Sequence, residues 1–112
     1  MVRVLFIILM PLALFSQNYG YFAGSRSAGL GHGSVALIDG WATHHNQAAL
    51  GFLEKPTVGI SYENRYFLSD LSLGNVSFAF PSKLGTVGMA ITYFGFELCH
   101  ETKIGLNYAK AF

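Results

Sequence analysis

Four histidines are the side chains in this sequence that most readily support chemistry, as metal ligands or as proton carriers. His44 and His45 are adjacent, and adjacent residues of a regular helix point about 100° apart, so the pair cannot hold one metal ion together. His32 and His100 stand alone in the sequence. No spacing of serine, histidine and acidic residues compels a catalytic triad. We therefore expect no enzyme and no metal site, and we expect His44 and His45 to form hydrogen bonds from a partly buried helix face.

A second candidate for chemistry is the glycine-rich stretch that contains Gly29, Gly31 and Gly33. A dinucleotide-binding loop would require a third glycine where this chain has Ser34, and neither a βαβ pattern nor a phosphate-loop lysine follows. We expect these glycines to serve the backbone and predict no bound cofactor. The net charge of +1 and the lack of a basic patch also argue against a nucleic-acid partner.

The composition indicates the class of protein to which these residues belong. Hydrophobic residues make up 52% of the chain and charged residues only 12%, about half the share usual in globular proteins. Residues 1–17 carry Arg3 before the apolar run 4–15, which resembles a secretory signal peptide and is too short for a permanent membrane helix. We predict Sec-dependent export. The alternative is a buried N-terminal element of a cytosolic domain.

Residues 18–53 are predicted to form a small-residue segment that contains one short helix. Trp41, His45 and Phe52 fall at helical spacing, which predicts an amphipathic helix over residues 41–52. The preceding Asp39 and Gly40 favour a turn or a helix cap. This segment is followed by residues 54–112, where the spacing of apolar residues changes from a helical to a strand period.

Residues 54–112 show the two-residue period of β-strands in four segments. One parity carries bulky apolar side chains, namely Val58, Ile60, Tyr62, Val76, Phe78, Phe80, Val87, Met89, Ile91, Tyr93, Ile104, Leu106 and Tyr108. The other parity is mostly small or polar. Short breaks at residues 69–70, 81–85 and 99–101 predict sequential antiparallel neighbours. Slips of parity near Gly74 and Gly95 predict either β-bulges or points where a strand leaves the apolar layer.

The fold class that we predict is all-β, an antiparallel transmembrane β-barrel of which about four strands are present. A soluble sandwich would expose a face rich in lysine, glutamate and threonine, whereas the polar parity here is small, and tyrosines lie towards the segment ends as at a membrane interface. The candidates for lumen-facing residues are Ser61, Glu63, Arg65, Thr92, Lys103 and Asn107, and the bulky parity is expected to face lipid. Because about eight strands are the fewest that close a barrel in one chain, we expect either the N-terminal part of a longer protein or a short chain that assembles several copies.

Several stretches carry a resemblance to a known family: residues 25–31 with 34–37, Trp41 with 45–50, and the strand segments 58–65 and 103–106. They resemble outer-membrane proteins of Bacteroidetes related to PorV and PorQ of type IX secretion and, more distantly, FadL-type transporters. The resemblance implies that the small-residue segment and its helix form a luminal plug before the first strand. The plug candidates are Arg26, Gly29, Gly31, Gly33, Trp41, His45 and Asn46.

These patterns together predict a non-enzymatic outer-membrane barrel protein that acts in transport of hydrophobic compounds or in protein secretion. Its expected partners are outer-membrane lipid and either secretion-system proteins or a hydrophobic ligand. Glu63 and Arg65 share one strand face and are expected to brace the plug or pair across the lumen, or to form a solvated ion pair. The alternative function is a secreted soluble β-domain that binds a partner or assembles into a surface structure.

Overall fold

The computed structural model describes residues 22–112, so the predicted signal peptide over residues 1–17 lies outside the described part. A four-stranded sheet dominates this part of the chain, and its strands pair in chain order. The strands are β1 (Thr57–Asn64), β2 (Ser72–Ser82), β3 (Gly85–Phe96) and β4 (Cys99–Ala109). All three pairings are antiparallel, which confirms the predicted all-β class and the sequential antiparallel order. The sheet is open, with β1 and β4 at its edges.

The strands are joined by short connections at both ends of the sheet. Two-residue turns join β2 to β3 and β3 to β4. Two 3₁₀ helices, Arg65–Phe67 and Ser69–Leu71, join β1 to β2. Pairing is continuous along every strand interface, so of the two alternatives predicted near Gly74 and Gly95 the β-bulge is wrong. Gly95 instead has a φ of 111°, which a glycine adopts freely. A Cβ atom at this position would clash with the Cys99 carbonyl oxygen at the turn.

Residues 22–53, called the covering segment below, lie against one face of the sheet. They contain helix α1 (Ser25–Gly29), helix α2 (Ala42–His45) and a 3₁₀ helix, Gln47–Phe52. The α1 helix was not expected from the sequence. The single helix predicted over residues 41–52 is divided in two, because Asn46 has an extended backbone with φ −155° and ψ 91°. The Asn46 amide donates a hydrogen bond to the Val35 carbonyl at 3.0 Å, which stabilises the break.

The two faces of the sheet differ sharply in burial. The inner face meets the covering segment and carries small residues, including a row formed by Gly59, Ser77, Ala90 and Gly105 at one level across the four strands. Burial alternates along β1, β2 and β3 with the predicted two-residue period. The buried apolar cluster is small and contains Ala42, Ala49, Leu50, Ala79 and Ala109, with Leu53 packed beside it. Within residues 22–112, most buried side chains are small, with Leu50 and Leu73 as the large exceptions, and most of the bulky residues on the other face are exposed.

The tightest contact between the covering segment and the sheet is made by Trp41. A Cβ atom at Gly24 would lie 2.9 Å from the indole, and a Cβ atom at Gly59 would lie 2.8 Å from its Cζ2 atom. The ring therefore occupies the volume that side chains would take on both sides. Gly88 makes room in the same way for Leu50 and Thr43, each 3.0 Å from a Cβ placed there.

Replacing Gly59 by alanine is expected to lower the free energy of unfolding by about 1–3 kcal/mol, since the added methyl group meets a ring that Gly24 confines from the other side. Gly105→Ala is the matched control, because it lies in the same inner row and its Cβ would meet Ala90 at an ordinary 3.9 Å. Denaturant unfolding followed by the fluorescence of the single tryptophan measures both. Equal stability of the two variants would contradict the packing of Trp41 described above.

Candidate functional site

The outer face of the sheet is the largest candidate interaction surface in the described part of the chain. Of its thirteen bulky residues, ten are exposed: Val58, Ile60, Tyr62, Phe78, Phe80, Val87, Tyr93, Ile104, Leu106 and Tyr108. Val76, Met89 and Ile91 are half-buried between their neighbours. Ile60 and Leu106 are 79% and 80% exposed, although each lies in the middle of its strand. No residue between 22 and 112 forms a second layer over this surface.

The outer residues are arranged in levels across the sheet. Two central levels are mainly aliphatic: Val58, Phe78, Met89 and Leu106 form one, and Ile60, Val76, Ile91 and Ile104 form the other. Rings border them on both sides, with Tyr62 and Tyr93 at one end and Phe80 and Tyr108 at the other. Exposed rings continue past the first border at Tyr66 and Phe67. The surface is thus an aliphatic band between two aromatic borders.

The inner face carries a row of polar side chains that hydrogen-bond across three strands. The Asn75 amide donates to the Ser61 hydroxyl at 3.3 Å, and the Thr92 hydroxyl donates to the Asn75 carbonyl at 3.0 Å. Lys103 follows at the same level on β4 and is exposed. Sequence analysis named Ser61, Thr92 and Lys103 but missed Asn75, which the shared parity of the strands would have revealed.

The remaining lumen candidates occupy two separate places. Asn107 lies under the covering segment, where its amide donates to the Thr43 carbonyl at 3.0 Å. Arg65 donates from Nε to Glu63 at 3.1 Å, and both side chains are partly exposed. This pair borders a groove of about 390 Å³ whose wall also includes His32 and Tyr66. Glu63 and Arg65 therefore form a local ion pair between neighbours in the chain.

The plug candidates divide into residues that contact the sheet and residues that do not. Trp41 packs against Gly59, and Asn46 stabilises the break between the helices. Four candidates, Arg26, Gly29, Gly31 and Gly33, are exposed. A side chain at Gly29 or Gly31 would meet nothing within 4 Å, so neither glycine is required for close packing, whereas the φ of 61° at Gly31 agrees with the expected backbone role. Among the glycines that do permit close approach between the covering segment and the sheet are Gly24, Gly40, Gly59 and Gly88.

The paired histidines have different hydrogen-bonding roles. His45 Nε2 lies 3.0 Å from the Ala23 carbonyl, which can only accept, so this nitrogen carries the proton. The Thr43 hydroxyl donates to the Gly40 carbonyl at 3.1 Å and lies within hydrogen-bond distance, 3.0 Å, of His44 Nδ1. His44 Nε2 and the Ser77 hydroxyl are both buried, and neither has a partner in good hydrogen-bond geometry among the described residues.

Burial is the largest influence on the pKa of His44 and lowers it from its usual value of 6.5. The positive charge of a protonated His45 lowers this pKa further. A hydrogen bond with the backbone of Ile91 raises it, but not enough to cancel the effect of burial. The folded protein therefore favours the neutral ring. Since a charged imidazole would lie between the covering segment and the sheet, its protonation opposes their packing.

Neither a metal-binding cluster nor a membrane-spanning helix is found among the described residues. Between residues 22 and 112, no three histidine, cysteine, aspartate or glutamate side chains converge on a position that could hold a metal ion. No helix in that range combines the length and the apolar character needed to cross a membrane. Comparisons of this chain with known protein families, with curated proteins and with solved structures find no match. The two faces of the sheet are therefore the features of this chain that bear on its function.

The lowered pKa of His44 predicts a pH-dependent stability. Below about pH 6.5 the unfolded chain binds a proton that the folded chain resists, so the free energy of unfolding falls as the pH falls through this window and levels off below the folded pKa. His44→Asn should reduce this dependence. His100→Gln is the control, because His100 stacks on Tyr93 on the outer side of the sheet. Denaturant unfolding between pH 5 and 8 measures the slope, and an unchanged slope in His44→Asn would contradict this assignment.

Proposed function

We propose that this chain forms part of the wall of an outer-membrane β-barrel, with the covering segment as a plug on its inner side. In this proposal the protein is not an enzyme and is exported before insertion. It acts in the passage of hydrophobic compounds or of secreted proteins at the outer membrane. The single observation that carries the proposal is the exposure of ten bulky apolar side chains on the outer face, opposite a face of small buried residues.

The free energy lost by exposing the outer face to water favours an apolar surrounding for it. Full burial of a large apolar side chain is worth about 1.5–3 kcal/mol, so ten largely exposed ones forgo on the order of 10–20 kcal/mol. That amount is comparable with or larger than the whole stability of a typical domain, about 5–15 kcal/mol. An apolar surrounding removes this loss without any change in the fold. Lipid acyl chains supply such a surrounding on a surface of this extent.

The dimensions of the sheet suit a bilayer. A strand needs about 9–11 residues to cross the hydrocarbon region at a tilt near 45°. The strands β2, β3 and β4 contain 11, 12 and 11 residues, and the shorter β1 contains 8. From Val87 to Tyr93 the distance along β3 is about 20 Å at the usual rise per residue. Rings with an apolar body and a polar tip are the side chains that membrane interfaces favour, and the aromatic borders support the proposal on this ground.

The inner face supports the plug assignment for the covering segment. Small inner residues leave the volume that Trp41, Thr43 and Leu50 fill, and they would leave a void if the covering segment were absent. The row of Ser61, Asn75 and Thr92 provides polar groups beside this contact. A polar inner wall with an apolar outer wall is the arrangement that distinguishes a membrane barrel from a soluble sandwich.

The alternative is a secreted soluble β-domain that acts as a binding or surface-assembly module. Within residues 22–112 the sheet is open at both edges, which favours this alternative, since exposed edges add strands from other chains. Fractionation of cells that express the protein separates the two functions. We expect sedimentation with outer membranes and heat-modifiable mobility in detergent gels. A soluble monomer after signal removal would overturn the barrel proposal.

Lysine substitutions at two depths of one strand test the lipid contact directly. Leu106 lies in the aliphatic band and Thr102 lies level with the aromatic border, and both face outward on β4. In a membrane, Leu106→Lys is expected to cost about 2–4 kcal/mol and Thr102→Lys about 0–1 kcal/mol. In water both substitutions would be nearly neutral, because both positions are exposed. Unfolding in lipid vesicles measures the difference, and equal small effects would contradict the proposal.

A further inference from the structure

The groove beside the Glu63–Arg65 ion pair has the composition of a site for a polar ligand. Its volume of about 390 Å³ falls within the usual range of ligand sites, about 300–1,000 Å³. The lining residues are His32, Glu63, Asn64, Arg65 and Tyr66, and the side chain of each can form hydrogen bonds. Most small-molecule sites are lined mainly by apolar side chains, so this lining favours a ligand that carries many polar groups.

Two of the lining residues have an unusual backbone conformation. Within residues 22–112, three residues other than glycine have a positive φ, namely His32 at 66°, Tyr66 at 57° and Phe67 at 56°. Histidine adopts this conformation more often than most residues, but for a bulky residue such as tyrosine it is an outlier. The Tyr66 ring gains little packing in return, because it is 82% exposed. Strained residues of this kind cluster at ligand sites, where the backbone holds a side chain in position before the ligand arrives.

The ion pair leaves polar atoms of the groove available to a ligand. Within residues 22–112, the Arg65 side chain donates one hydrogen bond, from Nε to Glu63 Oε1 at 3.1 Å. The two Nη groups therefore remain as donors, and Glu63 Oε2 remains as an acceptor. Both side chains are partly exposed, so a ligand in the groove can reach these atoms.

The charges of the groove favour a neutral ligand. The Glu63 carboxylate would repel an anion, and the Arg65 guanidinium would repel a cation. A zwitterion would have to separate the two groups, which already pair with each other.

Among neutral polar ligands, sugars match the groups on this wall. Sugar hydroxyls both donate and accept hydrogen bonds, so they suit a wall that offers donors and acceptors side by side. The apolar C–H face of a sugar ring packs against an exposed aromatic ring, and Tyr66 supplies such a ring.

A second groove continues from the first at Glu63, which lines both. It has a volume of about 430 Å³ and lies between the small residues Gly24, Ser25 and Ala28 of the covering segment and residues 60–63 of β1. Two grooves in succession suit a ligand that is built from linked units better than a single sugar ring.

We propose that the two grooves bind a neutral oligosaccharide, with Glu63 and Arg65 in hydrogen bonds to its hydroxyls and Tyr66 packed against one of its rings. Such sugars occur free and as headgroups of glycolipids, and both forms present the same hydroxyls. The site does not depend on lipid contact at the outer face of the sheet, so failure of either proposal leaves the other standing.

Glycine substitutions at two neighbouring residues separate ligand binding from folding. Tyr66→Gly removes the ring from the groove and relieves the positive φ, so binding should be lost while the midpoint of denaturant unfolding stays the same or rises. Phe67→Gly is the matched control, because Phe67 has a similar φ and a fully exposed ring but is not among the residues that line the groove. Arg65→Ala removes the free donors and should weaken binding about tenfold or more.

Binding is measured with the purified protein on an array of immobilised neutral oligosaccharides, with sulfated oligosaccharides as the acidic arm. We expect the wild type and Phe67→Gly to bind at least one neutral oligosaccharide, and the same sugar in free form to compete. Stronger binding to this sugar on a synthetic lipid in phosphatidylcholine vesicles would assign the headgroup as the source, and equal binding would assign the free oligosaccharide. Binding to no neutral oligosaccharide, stronger binding to the sulfated ones, or equal binding by Tyr66→Gly and Phe67→Gly would overturn the proposal.

Discussion

The packing of Trp41 between Gly24 and Gly59 is the contact on which this structure depends. The indole needs two positions without side chains, one on the covering segment and one on the sheet. Because strand side chains alternate, a small residue on the inner face at Gly59 fixes its neighbours Val58 and Ile60 on the outer face. The neighbouring strands continue the same division level by level. The direction in which the large side chains point is thus a consequence of what the covering segment requires.

The alternation of the strands and their order could be predicted from the sequence, because both are local properties. The two-residue period is visible where Ile104 and Leu106 alternate with Gly105 and Asn107. The short breaks between segments make antiparallel pairing of consecutive strands the simplest arrangement. Which face is buried could be predicted only by asking whether the polar parity would make an adequate water-facing surface. In the structure ten of the bulky outer residues are exposed, and the small parity meets the covering segment.

The covering segment was predicted less well, because its form depends on contacts between distant residues. Helical spacing alone favours one helix over residues 41–52, but the Asn46 side chain bonds to Val35 and divides it. Composition identified Gly29 and Gly31 as glycines of interest, whereas the close contacts fall on Gly24 and Gly59. A glycine inside a strand pattern, as at Gly59, is the signal that could have directed attention to the sheet.

Whether lipid acyl chains touch the outer face is most directly measured by fluorescence quenching. The protein is reconstituted in vesicles whose acyl chains carry bromine, which quenches only fluorophores in contact with them. The wild-type fluorescence comes from Trp41, which lies on the inner side, so it should be nearly unaffected. Phe78→Trp adds a fluorophore in the aliphatic band, and the account predicts strong quenching of the added emission. Quenching of Trp41 in the wild type, or none of the emission added by Phe78→Trp, would contradict the account.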